Sequence, residues 1–278
     1  FFIQYHAHPD SHSFPTRRSS DLDTTTALGL YKSKEFLTDL DPIGENEYRF
    51  KKQSDRLIVT KLNARPRVHR SGTLDYFGVL VVNSKGDIVG EHRFVGLFTS
   101  AALNTRPWDI PYINDKIVAV LKRFKFEQSS HTGKMIYHIL DTLPRDELMQ
   151  CDREELYNTI ISILSLQERQ KSNVTIRQDK FKRFYAFLVH IPRDNFNTDV
   201  RHIIQHVLME QVEGNHIEFQ VKIEDNNLAL LYVVVYSDLD VTLNKKDIEN
   251  ILAKSLRSWA DELTIKLIDK YGEEKGSA

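Results

Sequence analysis

The hydrophobic period changes twice along this 278-residue chain, and that change restricts the possible folds more than any other feature. From Asp23 to Asn104 the apolar residues come in short alternating runs: RLIVTKL (Arg56 to Leu62), YFGVLVVN (Tyr76 to Asn83) and IVGEHRFVGLFT (Ile88 to Thr99). A period of two sends successive side chains to opposite faces of a strand, so an antiparallel sheet half-buried on one face is expected here. Ser84-Lys85-Gly86-Asp87 links the last two runs with polar residues and a glycine able to take positive φ, which predicts a hairpin.

From Thr105 to Ser172 the period becomes helical. Ile113, Ile117, Val118, Leu121 and Phe124 form an apolar stripe on a helix starting near Pro111, a residue tolerated in a first turn. A second helix is predicted from Ser129 or Ser130 to Pro144, burying Met135, Ile136, Ile139, Leu140 and Leu143. A third opens with Asp152 and Glu155 at capping-box spacing and buries Leu156, Ile160, Ile163 and Leu164. Residues 105–172 are therefore expected to be a helical linker bundle.

From Asn173 to Gly272 the two periods alternate. VTIR (Val174 to Arg177) and FYAFLVHI (Phe184 to Ile191) precede a helix, Asn197 to Val212. HIEFQVKI (His216 to Ile223) and ALLYVVVY (Ala229 to Tyr236) follow, and then a long helix from Asn244 to Tyr271 that stops before Gly272. This order predicts a small α+β domain with one layer of helices on an antiparallel sheet. The whole chain is thus read as α+β and multi-modular: sheet module 23–104, helical linker 105–172, α+β domain 173–272.

Residues 1–22 show neither period. HSFPTRRSSDL (His12 to Leu22) resembles the translation of a sequencing-adapter oligonucleotide, so residues 1–22 are read as an artefact outside the fold. On that reading His6, His8, His12 and Asp10 are a compositional tract and not a metal site. A net charge of −1 provides no drive toward nucleic acid or anionic lipid. No apolar run approaches the roughly 20 residues that span a bilayer, and no leader is evident; neither membrane insertion nor export is expected. One cysteine, Cys151, precludes an internal disulfide and fits a reducing cytoplasm. Asp152 beside it would raise its thiol pKa, which favours a structural role near a helix start.

The glycines form no G-x-G pair, and no phosphate-binding loop or nucleophile elbow occurs, so neither a catalytic nor a cofactor-binding residue is assigned. His202 and His206 have metal-ligand spacing but are expected on the solvated side of their helix, opposite Val200, Ile203, Ile204, Val207 and Leu208. No metal site is therefore assigned. Glu91, His92 and Arg93 are expected to join a hydrogen-bonded network at a domain interface, not to act as acid and base. Trp108 and Trp259 are read as core or interface anchors. In IPRDNFNTDVR (Ile191 to Arg201) a strand end enters a helix capped at Asn197 or Thr198. Capping with surface charge is the favoured reading. The alternative is an effector site in which Arg193, Asn195, Asn197, Thr198 and Arg201 hold an amino-acid carboxylate.

Five strings occur in one order: GEHRFVGLFTSAALN (Gly90 to Asn104), HTGKMIYHILDTLPRDELMQ (His131 to Gln150), LSLQER (Leu164 to Arg169), HIPRDNFNTDVR (His190 to Arg201) and SLRSWADEL (Ser255 to Leu263). Across Leu57 to Glu274 the chain resembles the large bacterial-type NAD-specific glutamate dehydrogenases; Asp23 to Gln53 matches them only loosely. The resemblance implies a fragment of their N-terminal, non-catalytic half: a PAS-like sheet up to residue 104 and an ACT-like module over 173–272. It further implies that NAD, the catalytic lysine and the catalytic aspartate belong to a domain absent from this chain, so the fragment alone is expected to be inactive. Its implied partners are its own catalytic domain, other subunits of a homo-oligomer and an amino-acid effector. One departure is local: Asp179-Lys180-Phe181-Lys182-Arg183 lacks the glycine that such relatives carry, so a longer or bulged turn is expected. A standalone amino-acid-binding ACT-like module is the alternative function.

Overall fold

The computed structural model describes residues 3–6, 28, 56–62, 72–86, 88–127, 129–167, 173–223 and 228–255. The chain divides into two compact units, Phe1–Asp115 with Pro144–Gln150 and Lys116–Leu143 with Cys151–Ala278. In the first, β1 (Ile3–His6), β2 (Leu57–Lys61), β3 (Asp75–Val82) and β4 (Ile88–Gly96) form an antiparallel sheet in the order β1-β4-β3-β2. The hairpin between β3 and β4 closes with Gly86 at φ 90°, its N–H donating to the Asn83 carbonyl at 3.0 Å. The alternation sorts the faces. Ile58, Thr60, Tyr76, Leu80, Glu91, Arg93 and Val95 are buried on one side, while Val59, Phe77, His92 and Phe94 are half-buried and Val79 is exposed on the other.

Ile3–His6 differs from the expectation that residues 1–22 stand outside the fold, because these four residues pair with His92 to Val95. An open sheet edge offers unsatisfied N–H and C=O groups to any extended segment, and four residues are too few to reveal a period. His8, Asp10, His12, the stretch Asp23 to Gln53, Trp259 and the expected helix beyond Ser255 lie outside the described residues.

The helices are α1 (Ser100–Asn104), α2 (Pro111–Leu121), α3 (His131–Thr142), α4 (Arg145–Gln150) and α5 (Arg153–Gln167). Ser130 caps α3, its Oγ accepting from Gly133 N at 3.1 Å. The Asp152 and Glu155 box closes at the start of α5: Glu155 N donates to Asp152 Oδ1 at 2.8 Å, and Asp152 N donates to Glu155 Oε2 at 2.7 Å. On α2, Ile113, Ile117 and Val120 are buried whereas Val118 is 43% exposed, so the stripe is rotated from its expected position. The periodicity missed α1 and α4, of 5 and 6 residues, because neither is long enough to display a stripe. Both belong to the first unit, where α4 contacts β2 and Arg145 Nε donates to the Thr105 carbonyl at 2.7 Å. The linker region is therefore shared between the two units.

The second sheet comprises β5 (Asn173–Gln178), β6 (Phe184–Pro192), β7 (His216–Ile223) and β8 (Leu228–Tyr236), antiparallel in the order β5-β6-β8-β7. Helices α6 (Thr198–Gln211) and α7 (Lys245–Ser255) cover one face, where Tyr185, Phe187, Val189 and Ile191 meet Ile204, Leu208, Ile248 and Leu252. Where one helical layer was expected, the opposite face is covered as well: Phe184, Ala186, Leu188, Leu230, Tyr232 and Val234 are all buried. The continuous apolar runs of β6 and β8 record this two-sided burial. On that side Lys222 Nζ donates to the Thr142 carbonyl of α3 at 3.3 Å. The turn without glycine puts Lys182 at φ 59° and is held by Asp179, whose carbonyl accepts from Lys182 N at 2.8 Å and whose Oδ2 accepts from Phe181 N at 3.2 Å.

Candidate functional site

Three places concentrate polar chemistry. The first is the Ile191 to Arg201 segment. Arg193 and Asn195 lie in a 3-10 turn and are exposed, Asn197 caps α6 by accepting from Val200 N at 2.9 Å, and Thr198 is the first helical residue. Arg201 turns away to the neighbouring strand, its guanidinium 4.6 Å from the centre of the Phe219 ring on β7. The geometry shows the capping role, and the two arginines do not converge on a common acceptor. On the same helix His202 and His206 are exposed as expected; His206 Nε2 lies 3.3 Å from Glu210 Oε1 and His202 Nε2 lies 3.0 Å from Arg201 Nη2. Ile203, expected inward, is exposed. No group of three metal-ligating side chains occurs among the described residues.

The second place is the buried face of the first sheet. Glu91, fully buried, accepts from Tyr76 Oη at 2.6 Å and from Arg93 Nε at 3.2 Å. Gly78 makes room for this carboxylate: a Cβ there would stand 2.0 Å from Glu91 Oε1. His92 points to the opposite face, so the expected trio is a duo supplemented by Tyr76. Nearby, Lys61 Nζ lies 3.0 Å from Asp75 Oδ1 and 3.3 Å from Asp146 Oδ2, and Phe98 N donates to Asp75 Oδ2 at 3.1 Å. Burial pushes the Asp75 carboxyl up to about 6, with the Asp146 charge adding to the shift, although Lys61 acts against both. Asp146 Oδ1 is buried with no hydrogen-bond partner. Sequence reading missed this cluster: Lys61 and Asp75 face each other only because β2 and β3 pair in this register, and Asp146 arrives on an unpredicted helix.

The third place is a cavity of about 490 Å³ in the second unit, lined by Asn158 and Ser162 of α5, Thr175 and Gln178 of β5, Tyr185 of β6 and Lys245 of α7. Lys245 Nζ lies 3.0 Å from Ser162 Oγ and 3.6 Å from Glu249 Oε1, while the buried Thr175 Oγ1 has no hydrogen-bond partner. Its polar residues span Asn158 to Lys245, from α5, β5, β6, α7 and Thr242 before α7, so no local motif signalled it. Cys151 is buried and forms no disulfide, and its carbonyl accepts from Lys116 Nζ at 2.8 Å, consistent with a structural role. Trp108 is half-buried in a 3-10 turn.

Residues 110–169 match the family model described as glutamate dehydrogenase, helical motif 1, and residues 173–260 match glutamate dehydrogenase, ACT2 domain. Over 213 residues, 76% of its length, the chain is 35% identical to the NAD-specific glutamate dehydrogenase of Pseudomonas aeruginosa. The chain belongs to the NAD-specific glutamate dehydrogenase family. The enzyme of that name from Halomonas elongata is 34% identical over 213 residues, and that from Mycobacterium tuberculosis is 29% identical over 223. The chain spans about 13% of the length of the first two and about 14% of the third. The ACT2 match covers the sheet β5 to β8 with its two helices, so the second unit carries an ACT-like domain of a glutamate dehydrogenase. No helix among the described residues is long and apolar enough to cross a membrane.

Proposed function

We propose that this chain is a regulatory and assembly segment, from the N-terminal region, of a large cytoplasmic NAD-dependent glutamate dehydrogenase. The parent reaction would convert L-glutamate, NAD and water to 2-oxoglutarate, ammonium, NADH and a proton, in a catalytic domain outside these residues. The carrying observation is that two matched segments, the helical motif and the ACT2 domain, account for residues 110–169 and 173–260 while the chain spans only about 13% of its relatives. The buried polar network of Tyr76, Glu91 and Arg93 suits a structural role, and the first sheet is read as the PAS-like portion. Its partners would be its own catalytic domain and other subunits of a homo-oligomer. The test is sedimentation of the full chain over a wide concentration range, together with an absorbance assay for NADH from L-glutamate and NAD. Self-association without NADH formation is expected. A monomer at high concentration would overturn the assembly role, and NADH formation the non-catalytic one.

A second reading, an amino-acid effector site, is favoured by the cavity more than by the Ile191 to Arg201 segment. The cavity brings an ammonium, four hydroxyls (Ser162, Thr175, Tyr185 and Thr242) and two amides around a small volume, beside apolar Ile176, Val241 and Leu243. Calorimetry with glutamate, aspartate and branched-chain amino acids tests it. Heat abolished by Lys245→Ala assigns the cavity, heat abolished by Arg201→Ala assigns the segment, and no heat with any of them overturns the reading.

A further inference from the structure

Strand β5 forms one edge of the second sheet, and the cavity of the second unit runs along it. Asp179 N donates to the Phe184 carbonyl at 2.9 Å, so that pair is a hydrogen-bonded one and the ladder alternates from it. Val174, Ile176 and Gln178 therefore turn their backbone N–H and C=O groups away from β6, toward the open edge, and Val174 N accordingly donates to Glu249 Oε1 of α7 at 3.4 Å. Lys245 of α7 and Ser162 of α5 meet across this edge at 3.0 Å. That bridge, with a volume of about 490 Å³, suits a small ligand more than an added strand, since small-molecule sites occupy about 300–1,000 Å³.

The two ends of the cavity differ in what they still offer. Gln178, the last residue of β5, has both amide N–H bonds in use, to Tyr185 Oη at 3.0 Å and to Asp240 Oδ1 at 2.9 Å. Tyr185 Oη also accepts from Val241 N at 2.7 Å and donates to the Val241 carbonyl at 3.0 Å. The side-chain donors of that end are committed to one another. At the start of β5, Ser162 Oγ donates to Asn173 Oδ1 at 3.1 Å and accepts one proton of Lys245, whose ammonium has others to give, with Glu249 Oε1 3.6 Å away. Between the ends, Thr175 Oγ1 is buried with no hydrogen-bond partner, a state that a polar ligand would relieve. Among the described residues that line the cavity, Lys245 is the only cation.

We propose that this cavity binds an amino acid with one carboxylate and an aliphatic side chain, and discriminates against glutamate and aspartate. The inference deepens the effector reading above and rests on it. The carboxylate takes the free protons of Lys245 and Thr175, the α-ammonium donates to the outward carbonyl of Ile176, and the side chain lies against Ile176, Val241 and Leu243. A second carboxylate would reach the Gln178 end, where the side-chain donors are used and no cation lines the wall, so its desolvation would go uncompensated. The ligand touches α5 of the helical motif and β5 and α7 of the ACT2 domain at once, and its binding therefore stabilises the packing of one on the other.

The test is calorimetry of the full chain with leucine, valine, glutamate and aspartate, with melting curves of the chain and of Lys245→Met and Thr175→Val, two substitutions that nearly conserve volume. Leucine or valine should bind at least about tenfold more tightly than either acidic amino acid. Each variant should weaken that binding about tenfold and abolish the rise in melting temperature that the ligand gives the unaltered chain, while its ligand-free melting temperature stays the same or increases. Should Lys245→Met fail to fold, Thr175→Val carries the comparison. Glutamate or aspartate bound as tightly as leucine and valine, or leucine binding indifferent to both variants, would overturn this inference and leave the effector reading intact. No heat with any of the four would overturn both.

Discussion

His190 is buried on the linker side of β6, its Nδ1 lacking a hydrogen-bond partner, and burial pushes its pKa down to about 4. The imidazole is therefore neutral in the fold, whereas in an unfolded chain it titrates near 6.5. Stability from this group is fully present above that value and is lost as pH falls toward 4, by about 3 kcal/mol in all. Gly78 acts at the same scale by leaving room. Its Cβ in Gly78→Ala would displace Glu91 from Tyr76 and Arg93, and a buried ion pair broken in this way costs about 3–5 kcal/mol. A denaturant midpoint for Gly78→Ala near that of wild type would show that Glu91 can move at little cost. Neither residue announces itself in sequence, since a strand glycine and a strand histidine acquire meaning only from what packs against them.

At the scale of elements, capping and turn chemistry are local and were legible. Ser130, the Asp152 and Glu155 pair and Gly86 all do what their spacing predicts, because each bond spans only three residues. Asp152→Ala should remove half of the capping box and destabilise the second unit by about 1 kcal/mol, read as a lower melting temperature with an unchanged fold. Strand positions were legible too, since alternation survives whatever the partner. Inward faces were less so: Val118 and Ile203 were expected to be buried and are exposed, while Val120 was overlooked. A stripe gives the direction of a helix's apolar face only to within a residue, and neighbouring elements decide which side wins. The turn at Asp179 shows a substitution that local rules flag and tertiary contacts accommodate: Lys182 adopts a left-handed conformation while pairing with Asp240, and Asp179 supplies the closing acceptors.

At the scale of the whole molecule, the two units should respond oppositely to acid. Asp75, raised to about 6 by its burial, stabilises the first unit below about 4, and that contribution is lost as pH rises through 6; His190 in the second unit has the reverse dependence. Hydrogen exchange at pH 5 and pH 7 should show the second unit gaining protection at the higher pH and the first losing it. His190→Leu should flatten the response of the second unit alone, and a parallel response of both units would contradict this assignment. The sequence by itself determined the α+β class, the order of strands and longer helices, the caps and the family, because these depend on period, short-range hydrogen bonds and ordered strings. Tertiary structure alone decided the β5-β6-β8-β7 order, the covering of both faces of that sheet, the meeting of Lys61 with Asp75 and Asp146, and the cavity along the edge of β5. Each depends on which segments distant in sequence are brought together, and an apolar residue reads the same in sequence whether another element covers it or leaves it open.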